Sequence, residues 1–361
     1  MRAYEMSLAV GPAGAYAAWH GGRGEGSSIH IQKVTPDGQL SGMAMPVSDG
    51  RRLAYEPDLL LAGDRLIVAW YEKDAATGQL TAMMAGLDGN GGLLWRVPLA
   101  DEAVKTRNPV VRQIGRHLHV AWLQQAATEQ GGEAAVWHRR FSLAGVAETR
   151  PRRIGSANAT SWNLNASVYG ASLVVTYDAA RGTAAHELHM LVVTDETVRH
   201  RQLSADDGHA SLYPDIQVNR QGRAALTWFD ERDGNREVYL IVAPFEDFLT
   251  GHLPPPMRIT EDKGESIGAY LAWNGPTLGL VWSDEPGGSR EIFVGRFSDD
   301  GHPLDVVRQL GTSAGRASIP AIRASGTGFL VAWNDYEATA EGGHMPGTAS
   351  TARLAWVPGA P

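Results

Sequence analysis

An apolar strand ending in an aromatic residue recurs along this chain at a nearly constant interval, and this recurrence constrains the fold more than any other feature. The segments are AYAAW ending at Trp19, LIVAW at Trp70, LHVAW at Trp122, LVVTY at Tyr177, AALTW at Trp228, LGLVW at Trp282 and FLVAW at Trp333. Successive anchors lie 51, 52, 55, 51, 54 and 51 residues apart. A fixed period of this size marks an array in which each unit is one supersecondary element.

Each anchor sits in a longer pattern. Upstream comes a short apolar run, often opened by proline, as in Pro57-Asp58-Leu59-Leu60-Leu61, Pro109-Val110-Val111, Pro214-Asp215-Ile216 and Pro320-Ala321-Ile322. Downstream lies an alternating segment such as Val238-Tyr239-Leu240-Ile241-Val242, which closes on a turn like Asp37-Gly38, Asp88-Gly89 or Asp300-Gly301. A fourth apolar stretch leads into the next unit. Short runs rich in Val, Ile, Leu and aromatics, punctuated by Gly, Asp and Asn, read as strands and turns. No long stretch shows helical periodicity. Four antiparallel strands in roughly 50 residues match a β-propeller blade. Seven anchors predict an all-β, seven-bladed β-propeller of four-stranded antiparallel blades, one domain over residues 1–361.

Pro254-Pro255-Pro256 falls in the outermost strand of blade five, where an edge tolerates proline. Closure is the less regular part of the pattern. The third strand of blade seven is Arg353-Leu354-Ala355-Trp356-Val357, and only Met1 to Glu5 precede the first strand of blade one. Either blade seven has three strands or the chain is trimmed, and the first reading is preferred.

Formal net charge is −8 with no basic run, which argues against nucleic-acid binding because that needs a concentrated positive footprint. No run reaches the length of about 18 apolar residues that a membrane span needs. The start, MRAYEMSLAV, lacks a signal-peptide pattern and runs straight into blade one, which suits a leader already removed. The reading favours an extracytoplasmic location, with a cytoplasmic one left open. The absence of cysteine excludes disulfides, thiolate metal sites and cysteine nucleophiles. The sequence calls for no cofactor and no metal. The sequons at Asn158 and Asn165 are read as chance.

The turns Thr35-Pro36-Asp37-Gly38 and Ser298-Asp299-Asp300-Gly301 resemble degraded Asp-boxes. The stretch from Trp228 to Tyr239, WFDERDGNREVY, resembles a pattern of sialidase-like bacterial propellers, and blade six repeats it as Trp282-Ser283-Asp284 followed by Arg290-Glu291-Ile292-Phe293. On these motifs the chain resembles, in divergent form, the sialidase-like (BNR/Asp-box repeat) β-propeller superfamily. The resemblance implies the propeller architecture over the whole chain. It does not extend to a sialidase catalytic set. That family holds its substrate carboxylate with three arginines, one in an Arg-Ile-Pro motif, whereas here Ser318 precedes Ile319-Pro320.

In a repeat protein, a residue that recurs in place belongs to the blade, and departures point to function. Asp230, Asp284 and Asp335 all stand two residues after an anchor, so a turn-setting role is preferred over a site role. The distance from anchor to the following Asp-Gly position is 19 residues in blades one, two and six, but 23 in blade three and 26 in blade seven. Extended loops over a propeller mouth shape binding sites. They run here from Gln124 to Glu133 and from Asn334 to Ser350, the second carrying Asp335, Tyr336, Glu337, Glu341 and His344.

The residues before the aligned proline position are Glu5, Glu56, Asn108, Trp162, Tyr213, Gly268 and Ile319, with Arg52, Arg107, His209 and Arg316 nearby. Their chemistry varies while the spacing holds, which suits either a ligand-contacting ring or the lining of a wet channel. Aromatics stack on sugar faces, and arginine grips carboxylates at two points.

The candidate ligand-binding residues are therefore Trp162, Tyr213, Arg107, Arg316, Asn108, Glu5 and His344. The catalytic candidates are Glu56, Asp230, Asp335, Glu337 and His209. His117 and His119 share a strand face, and a hydrogen-bonded core role is preferred for His119 over metal ligation. His186 and His189 have odd spacing and fall on opposite faces. The Gly21 to Gly26 run opens no helix, so a phosphate loop is rejected.

Three readings follow. The chain is a noncatalytic propeller binding a glycan or protein partner at its loop-rich face. Alternatively it is a glycoside hydrolase or polysaccharide lyase, with carboxylates drawn from Glu5, Glu56, Asp230, Asp284, Asp335 and Glu337, or a base such as His20 or His209. The third reading is a scaffold subunit docking through the edge of blade seven. The first is preferred.

Overall fold

The structure is a computed structural model, and it describes residues 3–22, 26–101, 104–125, 133–156, 159–261, 263–311, 316–336 and 350–359. Seven antiparallel sheets follow one another along the chain. Six have four strands and the seventh has three, each in sequence order from the first strand outward. The innermost strands are Tyr4–Gly11, Leu53–Ala62, Thr106–Ile114, Thr160–Tyr169, Ser211–Val218, Ile267–Asn274 and Arg316–Ser325. The predicted seven-bladed propeller with a three-stranded last blade is what forms.

Blades pack face to face because both faces of their strands are apolar. Between blades one and two, Ile29, Ile31, Leu59, Leu66, Val68 and Trp70 share one buried cluster. The anchors lie in these interfaces, and Trp70, Trp122, Trp282 and Tyr177 are among the largest fully buried side chains. A buried indole N–H needs an acceptor, and the repeat supplies one two residues on. Trp70 donates to Glu72 at 3.0 Å, Trp122 to Gln124 at 3.1 Å, Trp228 to Asp230 at 2.9 Å and Trp282 to Asp284 at 3.2 Å. This explains the recurring acidic position. Blade one has Gly21 there, and the Trp19 Nε1 group finds no partner among the described residues.

Blade one meets blade seven through the same kind of interface. Ala3, Met6, Leu8 and Trp19 pack with Ala321, Leu330 and Ala332. The Ala3 N–H donates to Ser350 O at 3.3 Å, as Ala54 does to Ser27, Ser211 to His186, Ser266 to Arg236 and Ala317 to Arg290 at four other junctions. Asn334 Nδ2 also donates to Ala3 O at 2.8 Å. Packing and these bonds therefore close the ring.

Two details differ from the sequence reading. The strand Glu237–Pro244 is followed by a helix, Phe245–Thr250, and Pro254 to Pro256 precede the short outer strand Met257–Arg258 instead of lying in it. The six-residue helix buries Phe245 and Phe248 and ends at Gly251 in the left-handed conformation. It is too short to display periodicity. Among the described residues no helix is long and apolar enough to cross a membrane.

His119 is a core histidine, its Nδ1 lying 3.1 Å from His138 Nε2 between strands His117–Gln125 and Ala134–Ser142. Burial lowers His119 to about 4 and His138 to about 3. The unfolded chain therefore binds more protons below the ordinary histidine range. Stability from this pair is complete above about 6.5 and is lost as pH falls toward 4. Acid titration of the melting temperature should show this decline, and the His119→Leu/His138→Leu double variant should flatten it.

Indole substitutions provide a second check. Trp70→Phe and Trp228→Phe each remove one donor from a buried carboxylate and should each cost about 1.5–3 kcal/mol in urea denaturation. Trp19→Phe, which breaks no such bond, should cost less.

Candidate functional site at the bulge-side mouth

Every inner strand carries one extra residue near its start. In blade one the paired residues jump from Tyr4 with His20 to Ser7 with Ala18, a step of three on one strand against two on the other. The same jump occurs in the other six blades. At each jump stands a residue with positive φ: Glu5 (48°), Glu56 (50°), Asn108 (48°), Asn163 (49°), Tyr213 (56°), Gly268 (63°) and Ile319 (52°). These are β-bulges led by a left-handed residue. Proline follows four of them because the second bulge residue need not donate to the ladder. In blade four the bulge residue is Asn163, one position after Trp162. The sequence spacing predicted the ring and erred by one residue there.

The bulges bring two further positions to the mouth. The residue before each bulge pairs across the sheet with the residue after each anchor. The pairs are Tyr4 with His20, Tyr55 with Tyr71, Arg107 with Leu123, Trp162 with Asp178, Leu212 with Phe229, Ile267 with Ser283, and Ser318 with Asn334. Reactive and aromatic side chains concentrate in blades one to four. At the position after the anchor the sequence singled out only His20, since one step past a core tryptophan looks like more core. The variation of this position from blade to blade was the available signal.

Glu5 and Glu56, 51 residues apart, become neighbours in adjacent blades. Tyr71 donates to Glu56 Oε1 at 3.4 Å, and Asn108 Nδ2 donates to Glu56 Oε2. The Glu56 N–H donates to His20 Nδ1 at 3.4 Å, and that nitrogen lies 3.3 Å from Glu5 Oε2. Burial, and then the charge of Glu56, push the Glu5 carboxyl well above the usual range. Burial lifts Glu56 to about 7, opposed by the Arg107 charge and the Tyr71 bond. Both carboxyl groups are thus easier to protonate than an exposed glutamate.

Beside this pair, the Arg107 guanidinium lies 4.3 Å over the Trp162 ring, which is 38% exposed. Both line a cleft of about 420 Å³ with Lys105, Gln125, Glu133 and Thr160. Asp178 accepts from Asn163 at 2.7 Å and from the Tyr213 N–H at 3.1 Å, and its other oxygen meets His186 at 2.7 Å. That hydrogen bond raises the His186 pKa. Tyr213, 45% exposed, stacks on Phe229 at 5.2 Å. Farther down the channel Arg112 pairs with Asp58 at 2.7 Å, and Asp215 accepts the Leu271 N–H at 2.8 Å.

Other sequence candidates lie elsewhere or are occupied. Asp230 accepts from Ser211, Trp228 and Arg232 at 2.6–3.0 Å, so every lone pair is used. Burial opposes its ionisation, but these bonds offset it and hold the carboxyl below its ordinary range. Asp335 meets Arg353 at 3.3 Å, and Arg316 is bound to Glu285. His209 is on an exposed turn. Glu337 and His344 lie outside the described residues, as do most of the two extended loops. Asn165 is tied into the ring through Pro214 O at 3.2 Å. His186 and His189 do diverge, the latter stacking on Tyr177 at 5.3 Å. Among the described residues no three acidic or histidine side chains converge as a metal site would require.

No family model and no curated protein matches this chain. Solved structures do match in architecture. The endosialidase of phage phi92 aligns over 99% of this chain and 67% of its own at 11% identity and a TM-score of 0.60. An α-L-arabinanase of Penicillium chrysogenum, complexed with arabinobiose, aligns over 91% of this chain and 97% of its own at 10% identity and a TM-score of 0.59. The propeller domain of the Trilobed protease from Pyrococcus furiosus, described as having an open velcro topology, aligns over 98% of this chain and 96% of its own at 9% identity and 0.55. Such identities establish a shared fold, and a fold hosts many functions.

Carbon-detected NMR titration should place the Glu56 midpoint near 7. Arg107→Gln should move it higher, because a favourable charge is lost. Ionising the pair is unfavourable in the folded state, so its contribution to stability is present below the unfolded carboxyl value and is lost as pH rises through about 7. Glu56→Gln should remove that alkaline decline.

Proposed function

We propose that the protein is a ligand-recognition propeller that binds a glycan at its bulge-side mouth. The observation carrying this reading is the Arg107–Trp162 pair. The indole, stacked under the guanidinium and 38% exposed, lines a cleft shared with Lys105. Among the described residues neither cation is ion-paired, whereas Arg232, Arg236, Arg290 and Arg316 on this side are all paired with carboxylates. A sugar ring stacks on such an aromatic face, and unpaired cations engage its carboxylate or hydroxyl groups. Tyr213 offers a second exposed aromatic surface at the same mouth. The glycan-directed names of the phage endosialidase and the arabinanase lend support to this choice of ligand class. An extracytoplasmic location accords with it.

A carbohydrate-active enzyme is the second reading, favoured by the raised pKa of Glu56. A carboxyl group with a pKa near 7 suits a general acid.

A glycan array run with reducing-sugar release and unsaturated-product absorbance separates these readings. Binding without turnover is expected. Trp162→Ala and Arg107→Ala should each weaken it about tenfold, equivalent to about 1.4 kcal/mol. Turnover abolished by Glu56→Gln would replace recognition with catalysis. Silence in all assays would sink the glycan reading and leave a protein partner.

A further inference from the structure

The Glu5–Glu56 pair is set in an aromatic wall that the glycan reading does not use. Ring contacts run without a break from blade seven to blade two. Tyr336 meets Tyr4 at 5.8 Å, Tyr4 stacks on His20 at 5.4 Å, His20 meets the edge of Tyr55 at 5.3 Å, and Tyr55 stacks on Tyr71 at 5.4 Å. The two carboxyl groups join this arc through His20 and Tyr71.

Their bonding is incomplete. No lysine or arginine forms an ion pair with either carboxylate among the described residues. His20 Nδ1 stands 3.4 Å from the Glu56 N and 3.3 Å from Glu5 Oε2. Glu5 Oε2 is a buried oxygen without a hydrogen-bond partner. The Glu5 side chain as a whole is still 31% exposed, so the site is open to a ligand.

We infer that this carboxylate pair and its tyrosine arc form a binding site for the alkylammonium group of a ligand. Aromatic faces attract organic cations through the ring quadrupole, and desolvation strengthens the attraction. The carboxylate pair supplies the negative charge that such a group needs, and above pH 7 Glu56 carries it. An inorganic cation is a poorer match, because calcium and magnesium take six or more oxygen ligands and phenyl faces provide none. The left-handed backbone at Glu5 and Glu56 holds both side chains at the mouth before any ligand arrives. The ammonium contact uses other side chains than the glycan contact, although Arg107 and Trp162 stand beside the pair.

The test is titration of the full chain at pH 8, followed by NMR, with choline, n-butylammonium and 3,3-dimethylbutanol, the neutral isostere of choline. Choline should bind at least tenfold tighter than the isostere. Preference for choline over n-butylammonium would assign an N-methylated group, and the reverse preference a primary amine. Glu56→Gln should weaken the cation tenfold or more while leaving the neutral isostere unchanged. Tyr55→Leu, with folding verified by its melting temperature, should weaken it independently of the carboxylates. Equal binding of choline and the isostere would overturn the inference, as would silence from both ammonium ions. Displacement of choline by millimolar calcium would also overturn it, assigning the pair to a metal.

Discussion

A left-handed backbone costs a residue other than glycine about 1–2 kcal/mol, yet six of the seven inner strands accept it at the same place. The extra residue lets the strand start beside the channel with its side chain turned toward the mouth, then rejoin the ladder for the rest of its length. The bonds of the next layer depend on that phase. Ser7 accepts the Leu59 N–H at 3.0 Å, Asp58 the Val111 N–H at 2.7 Å, and Asp215 the Leu271 N–H at 2.8 Å. In each case a side chain two residues past one bulge holds the backbone three residues past the next. The bulges thus set both the mouth and the ties between neighbouring blades.

Charge is distributed unevenly around this regular frame. Blades five and six combine arginines with carboxylates in closed pairs, such as Arg232 with Asp230 and Arg290 with Glu285 at 2.7 Å. Blades one to three form such pairs too, as in Arg96 with Glu72 and Arg112 with Asp58, but among the described residues no arginine pairs with Glu5 or Glu56. Carboxylates accumulate at Glu5 and Glu56, and Arg107, whose charge acts on Glu56, lies over Trp162. Unpaired groups of both signs on one rim are expensive to maintain for stability alone. They are reasonable where a ligand completes them.

The architecture was legible because its signals repeat. Trp19 to Trp333 gave the number and order of the blades, and the missing apolar segment after Val357 gave the three-stranded sheet. The two longer connections in blades three and seven also follow from counting: they span residues 126–133 and 337–349, against residues 74–79 in blade two. The site was legible only in part. Glu5 and Glu56 were each visible as ring members, but their proximity needed the further step that equivalent positions in consecutive blades are neighbours in space. Tyr71 and Asp178 were hidden by the anchors they follow, and His20 stood out only as a lone candidate base. Asn163 was displaced by Trp162 because blade four has no proline to fix the phase.

Strand order within each sheet follows the chain without exception. Every hydrogen-bonded ladder therefore joins segments near each other in sequence, and a blade closes only short loops as it forms. Contact order inside a blade is low, which favours rapid assembly of hairpins. The apolar faces become buried only when a neighbouring blade is present, so stability propagates from unit to unit as in a linear repeat array. The junction between the first and last blades differs in this one respect. Its partners are the most distant in the chain, with Asn334 reaching Ala3, so the loop-closure entropy of the whole ring falls on it. Folding kinetics would thus divide into a fast local stage and a slower annular one.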